Sequence, residues 1–270
     1  MSRWSDLREL ARRRKGSEVN RVSSRPLLLS FHLLLSSSVA DAQQFYGDIQ
    51  WVAPLGVASL VGTAGELYSQ FYGVAALIPD WEFNVQLNYY YEDPRDKSES
   101  YTATNLFVKH RLVENDAQTA GYAFIAGTGL FPEHVAQDEV ATAFQSWFVN
   151  GVATYAFADN RILLDLLPGV MVNTDSGDSG ETAWGFTYAA RSAVYGVIPR
   201  SAIVAEVFGT AGEAYAKPNY RVGVRWESPK WIVAGSYAAA FDGSRGAGFE
   251  LGIMYFTDPI FCLGGCRNSR

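Results

Sequence analysis

From residue 43 onward the chain alternates apolar and polar side chains in a dozen short segments, and this constrains its fold more than anything else in it. The clearest segment is 81–92, WEFNVQLNYYYE. Trp81, Phe83, Val85, Leu87, Tyr89 and Tyr91 share one face, and Glu82, Asn84, Gln86, Asn88, Tyr90 and Glu92 share the other. A side-chain period of two is a β-strand. A strand of about ten residues with an apolar, aromatic-ended face and a polar face suits the wall of a transmembrane barrel. The 270 residues contain no run of about 18 apolar residues that would span as a helix. The mean hydropathy of −0.03 is close to neutral, a total that a soluble all-β domain could share.

Residues 1–42 read as an export signal. Arg12, Arg13, Arg14, Lys15, Arg21 and Arg25 form a basic start, Leu27–Leu35 an apolar core, and Ala40-Asp41-Ala42 a small-residue cleavage site before Gln43. The basic stretch is long and contains Asp6, Glu9 and Glu18, so the start codon could lie downstream. Arg12-Arg13 lacks the apolar consensus that follows a twin-arginine signal. Removing this segment leaves the mature part with a net charge of −10, which argues against nucleic acid as a partner.

The expected strands are 45–55, 65–78, 81–92, 100–113, 118–131, 141–157, 161–173, 181–195, 200–209, 218–227, 230–240 and 247–257. Twelve is even, as single-chain bacterial barrels require. The connections divide into two classes. Pro79-Asp80, Glu114–Ala117, Ala158–Asn160, Gly196–Pro199 and Ser228-Pro229 are tight and rich in turn residues. Gly56–Ala64, Asp93–Glu99, Pro132–Val140, Thr174–Gly180, Thr210–Lys217 and Phe241–Gly246 are longer. Short periplasmic turns and long outer loops alternate in this way in outer-membrane barrels. The predicted fold is therefore all-β: a 12-stranded antiparallel transmembrane up-and-down β-barrel over 43–257. A periplasmic tail, 258–270, follows. Pro168 predicts a bulge in the seventh strand.

Parity assigns faces. Phe45, Ile49, Trp51, Leu106, Val108, Ile162, Leu164, Leu166, Tyr220, Val222, Val224, Trp226, Phe249, Leu251, Ile253 and Tyr255 are expected toward lipid, with His110 on that face near an interface. The expected pore lining is Glu82, Asn84, Gln86, Asn88, Lys109, Arg111, Arg191, Glu206, Arg221, Arg225 and Glu250. Asp48, Glu66, Gln70, Asn105, Asn150 and Asp165 also point inward. These charges allow two arrangements: a basic track opposing an acidic set, which would give ion preference, or mutual neutralisation.

Other sites carry weaker signals. Cys262 and Cys266, in CLGGC, sit close enough to bridge in an oxidising compartment, and without further Cys or His they make a poor zinc site. Asp175, Asp178 and Glu181 lie in NTDSGDSGE, which lacks the calcium-loop spacing and reads as a solvated surface loop. A barrel hydrolase would need a His and a Ser at one height. The mature chain offers His110 and His134, with Ser146 or Ser236 as the residues that could approach His110. No metal or cofactor is called for, and no enzyme is expected.

Tyr155–Leu164 (YAFADNRILL), Thr182–Tyr188 (TAWGFTY), Ala202–Gly209 (AIVAEVFG), Tyr220–Trp226 (YRVGVRW) and Gly248–Phe256 (GFELGIMYF) resemble the family of outer-membrane transporters associated with meta-pathway phenol degradation. The resemblance covers most of 81–257 and implies a channel for small, often aromatic, compounds. The cysteine-bearing tail departs from the family's habit of ending on the last strand. The expected role is passive diffusion of small solutes across the bacterial outer membrane. The expected partners are the membrane's lipid, the barrel assembly machinery during insertion, and the solutes. A structural or surface-interaction barrel, a membrane-embedded lipid hydrolase and a soluble β-sandwich are the alternatives.

Overall fold

The computed structural model of the protein describes residues 50–92, 99–129, 131, 143–176, 180–244 and 246–260. Among them twelve strands run in order: β1 (Ala58–Gly65), β2 (Tyr68–Ile78), β3 (Trp81–Tyr90), β4 (Tyr101–Glu114), β5 (Ala120–Thr128), β6 (Ser146–Phe157), β7 (Ile162–Ser176), β8 (Glu181–Tyr195), β9 (Ser201–Gly212), β10 (Ala216–Glu227), β11 (Trp231–Ala240) and β12 (Gly248–Phe256). Each pairs antiparallel with its sequence neighbours, and β1 closes on β12 from Ser59↔Phe256 to Gly65↔Glu250. The result is a closed 12-stranded antiparallel barrel without a free sheet edge.

Two turns show how local sequence sets the hairpins. Asp159 and Asn160 take φ of 56° and 63°, and Arg161 N donates to Ala158 O at 3.2 Å, a turn whose mirror-image twist suits a hairpin. In Ile198–Ser201, Pro199 precedes Arg200 at φ 60°, and Ser201 N donates to Ile198 O at 3.1 Å, a type II arrangement. Ala58 and Phe256 lie at the rim with these tight turns, and the long connections 91–100 and 129–145 lie at the other. The rim with longer connections is the extracellular one.

The outer wall is apolar. Val222, Val224, Trp226, Phe249, Leu251 and Ile253 are exposed there, as parity predicts. Aromatic rings gather at both rims. Trp231–Tyr255 (4.6 Å), Trp81–His110 (4.2 Å) and Tyr122–Tyr155 (6.3 Å) mark the inner rim, and Tyr237–Phe249 (4.8 Å) and Phe144–Trp147 (6.1 Å) the outer one. Two such girdles flanking an apolar band fit a bilayer.

The start of the barrel differs from the sequence expectation. Among the described residues, segment 45–55 forms no strand. Its described part, 50–55, runs inside the barrel, and β1 occupies 58–65, where a loop was expected. Trp51, expected toward lipid, packs inside, and Phe45, Asp48 and Ile49 lie outside the described residues. The misreading has a physical source. The outward positions of β1 include Gly62 and Ala64, so its alternation is faint, while Ile49 and Trp51 imitate a strand face. The first outer connection is therefore only Glu66-Leu67. β7, β9 and β10 also run further than expected and shorten the loops after β7 and β9.

Pro168 causes no bulge. Its ladder to β6 lapses and resumes in the same register, Asn150↔Gly169 and Ala153↔Leu166, and the β7–β8 pairing runs straight through Pro168↔Tyr188. The proline shares the lipid-facing parity of Leu164 and Leu166. Gly151 stands opposite, where even a Cβ would lie 4.0 Å from the proline ring, in ordinary contact.

Candidate functional site

The interior holds the polar chemistry. A row of inward residues crosses the wall in register: Thr154 (β6), Asp165 (β7), Arg191 (β8), Glu206 (β9) and Arg221 (β10). Thr154 Oγ1 donates to Asp165 Oδ1 at 2.6 Å. Arg191 Nε and Nη2 donate to Asp165 Oδ2 at 3.0 and 2.9 Å. Arg221 Nη1 lies 3.3 Å from Glu206 Oε2, and its Nε lies 2.9 Å from Glu250 Oε2 on β12. Ser236 on β11 and the Tyr68 hydroxyl on β2 donate to Glu250. The Arg221 guanidinium also sits 5.2 Å over the Phe208 ring. Charges therefore interleave strand by strand, and the separate basic and acidic walls that parity allowed do not form. Exposures of 0–2% for all five ionised groups show that they face each other and not open water.

A second set lies toward the inner rim. Lys109 Nζ is 3.7 Å from Glu82 Oε2, its register partner. Arg111, at the rim and partly exposed, pairs with Asp80 and with Glu114, 3.2 Å away. Arg225 reaches Glu227 at 2.5 Å and the Tyr195 hydroxyl. Asn84, Gln86, Asn88, Asn105 and Asn150 are all buried inward, and Gln70 is half-buried. Glu66 is the exception: it caps the β1–β2 hairpin, exposed, accepting Phe249 N at 3.1 Å.

Segment 50–56 crosses the interior at this end. Gln50 N donates to Thr154 Oγ1 at 2.9 Å, and its Nε2 to Glu114 Oε1 at 3.3 Å. Trp51 Nε1 donates to the same Glu114 oxygen, and Ala53 N to Glu82 Oε1. The Trp51 ring packs against a cluster of Leu163, Ala193, Ala202, Val204 and Ala234, drawn from β7, β8, β9 and β11. Gly121 on β5 makes room, because a Cβ there would lie 2.6 Å from Gln50 Cδ. On the far side Ile260 N donates to Gly56 O at 2.8 Å. Sequence reasoning missed Gln50, Glu114, Gly121 and Thr154. Each looks like ordinary turn or strand filler until the segment is seen between them.

The interior also holds apolar side chains, with Tyr72, Phe107, Ile125, Phe148, Leu167, Met171, Phe208 and Met254 in one buried cluster. His110 lies on the outer wall, stacked on Trp81, with Nδ1 3.1 Å from Asp80 O. Ser146 and Ser236 are buried inside. The wall separates them from His110, so the arrangement a hydrolase would need does not form among the described residues. Cys262, Cys266, His134 and Asp178 lie outside the described residues. In the connection after β11, Asp242 is held ionised, its pKa lowered to about 2 by hydrogen bonds from Ser244 and by Lys217.

The chain matches no family model and no curated protein. Solved structures do match it. The KdgM porin in complex with disordered oligogalacturonate superposes with a TM-score of 0.52 at 9% identity, covering 74% of this chain and 98% of that one. An outer membrane channel from Pseudomonas putida F1 gives 0.46 at 14% identity, over 80% and 98%. LpxR from Salmonella typhimurium gives 0.40 at 10% identity, over 74% and 99%. At 9% identity the KdgM likeness is one of fold, and with the apolar wall and its two girdles it makes this chain an outer-membrane β-barrel.

Proposed function

We propose that the barrel is a narrow passive channel for small solutes, held closed in this state at its inner end by segment 50–56. One observation carries the reading: the ionised row Asp165–Arg191–Glu206–Arg221–Glu250 lines an interior that apolar side chains could fill at lower cost. Twelve strands give a bore between a side-chain-filled eight-stranded barrel and an open sixteen-stranded one. The resemblance to the phenol meta-pathway transporters agrees with a channel and adds aromatic compounds as candidate solutes. Lipid and the barrel assembly machinery are the partners this reading needs.

The outer connections carry many more acidic than basic residues, whereas the inner turns balance. The interior pairs named above set seven carboxylates against five cations, so mouth and lumen alike give a preference for cations.

A second reading, a barrel that anchors or presents its loops without transport, is favoured by one fact: Arg191, Arg221 and Arg225 are 0–1% exposed. Single-channel recording of the refolded mature protein (43–270) across a salt gradient separates the two. Discrete, cation-preferring steps support the channel. A folded barrel without current, with segment 50–56 either present or removed, leaves the structural reading.

A further inference from the structure

The outer part of the β1–β4 interior is polar without an ionised residue of its own, the inward charges of these strands, Glu82 and Lys109, lying toward the inner rim. On β1–β4 three rows of inward residues lie in register. Tyr68, Tyr90 and Tyr101 form the outermost row. Thr63, Gln70 and Asn88 form the next. Tyr72, Gln86 and Asn105 form the third. The tyrosine rings stand side by side, with centroids 5.7 and 6.0 Å apart. Gln70 Nε2 and Gln86 Nε2 both donate to Asn88 Oδ1 at 3.1 Å, and Asn105 Nδ2 donates to Gln86 Oε1 at 3.0 Å.

The grid does not close on itself. Asn88 Nδ2 and Thr63 Oγ1 have no hydrogen-bond partner among the described residues, although Asn88 is 0% and Thr63 6% exposed. They flank Gln70 in one row, on the inner face. A buried polar group left unpaired costs roughly 1–3 kcal/mol. Mere filler would be apolar at these positions, as the inward Val61 on β1 and Val74 on β2 are.

We propose that this wall is a passage site for small neutral polyhydroxylated solutes of the free-sugar class; the inference rests on the channel reading above. A hydroxyl-rich solute supplies the partners that Asn88 Nδ2 and Thr63 Oγ1 lack. Amide and phenol groups, about 4.8 Å apart across strands and about 6.8 Å apart along one face, match the span of a sugar ring. Each hydroxyl both donates and accepts, as amides and phenols do, so contacts exchange as the solute moves. The tyrosine row at the outer end offers ring faces to the apolar face of a sugar. An apolar aromatic solute would leave both orphan groups unpaired. An ion would find no counter-charge on these residues, and the carboxylate that Tyr68 touches, Glu250, is already held by Arg221.

The test uses the mature protein in a planar bilayer with potassium chloride. Glucose is added and compared with gluconate and glucosamine, which match it in size but carry charge. The expected result is concentration-dependent interruption of the current by glucose and little by either charged analogue. Thr63→Val removes one orphan hydroxyl at constant volume. It should weaken the glucose block roughly three- to tenfold, the value of one hydrogen bond, and leave the salt conductance unchanged. Asn88→Leu is the second variant, read the same way. A current that all three solutes affect alike, or a Thr63→Val channel that glucose blocks as the parent, overturns the sugar site and leaves the channel standing. A folded barrel that never conducts overturns both.

Discussion

Arg221 and Glu250 meet across a strand that lies between them. β10 and β12 are not neighbours, yet Arg221 Nε sits 2.9 Å from Glu250 Oε2, over the small Ser236 of β11. Arg221 also holds Glu206, so one guanidinium balances two fully buried carboxylates. Replacing it by Met should cost about 3–5 kcal/mol, because Glu250 then loses its cation while buried and Glu206 keeps only Arg191 opposite it. The urea midpoint of the heat-modifiable folded band measures this. Adding Glu250→Gln to Arg221→Met should recover part of the loss.

The inner strap makes a second prediction. Trp51→Ala removes the ring from the Leu163–Ala193–Val204 cluster and its donor to Glu114. The strap then loses its hold while the wall keeps every strand pairing. Folded yield should be unchanged, and single-channel conductance or open probability should rise. Glu114→Gln should act in the same direction but less, since it keeps one acceptor.

Neighbouring positions on β10 separate wall from interior. Val224→Arg puts a charge on the lipid face and should cost roughly 2–4 kcal/mol if it lies near the bilayer midplane. Arg225→Ala frees Glu227, which is 16% exposed at the inner rim and can hydrate. That variant should fold and change conductance. Equal effects on refolding yield would contradict the face assignment.

Gly169 is a steric test of the interior. A Cβ there would lie 1.8 Å from Asn150 Oδ1 and 2.5 Å from Thr187 Oγ1, the two atoms that hydrogen-bond at 3.0 Å. Gly169→Ala must separate them and should cost about 1–3 kcal/mol by overpacking, visible as a lower midpoint in the same urea titration.

These predictions divide between what local sequence shows and what only closure reveals. β3 was readable because five apolar residues alternate along it without a break and Pro79-Asp80 marks its start. The inward parity of Glu82, Lys109, Arg191, Glu206, Arg221, Arg225 and Glu250 was readable for the same reason. Their partners were not. That Arg221 answers Glu206 and Glu250 depends on how β9, β10, β11 and β12 align, and nothing local states that alignment. β1 was hidden because its hairpin, Glu66-Leu67, has no Gly, Pro or Asn. Glu66 holds it through Phe249 on β12, a contact 183 residues away in the chain. The strap was hidden because alternation cannot tell a strand from a segment threaded past one.

The interleaved charges have a consequence for how the barrel reaches its shape. A closed sheet is defined by its stagger, and many staggers satisfy backbone pairing equally well. Sliding one strand by a single residue would turn its charges into lipid, and the bilayer forbids that. Sliding by two keeps them inside, so the bilayer does not object. The row does. Such a slip on β8 sets Asp165 opposite Ala189 or Ala193 in place of Arg191, and withdraws Glu206 from the same arginine. The wall facing lipid thus rejects odd errors of alignment, and the charged row rejects even ones, so that together they act as a combination lock with one opening setting.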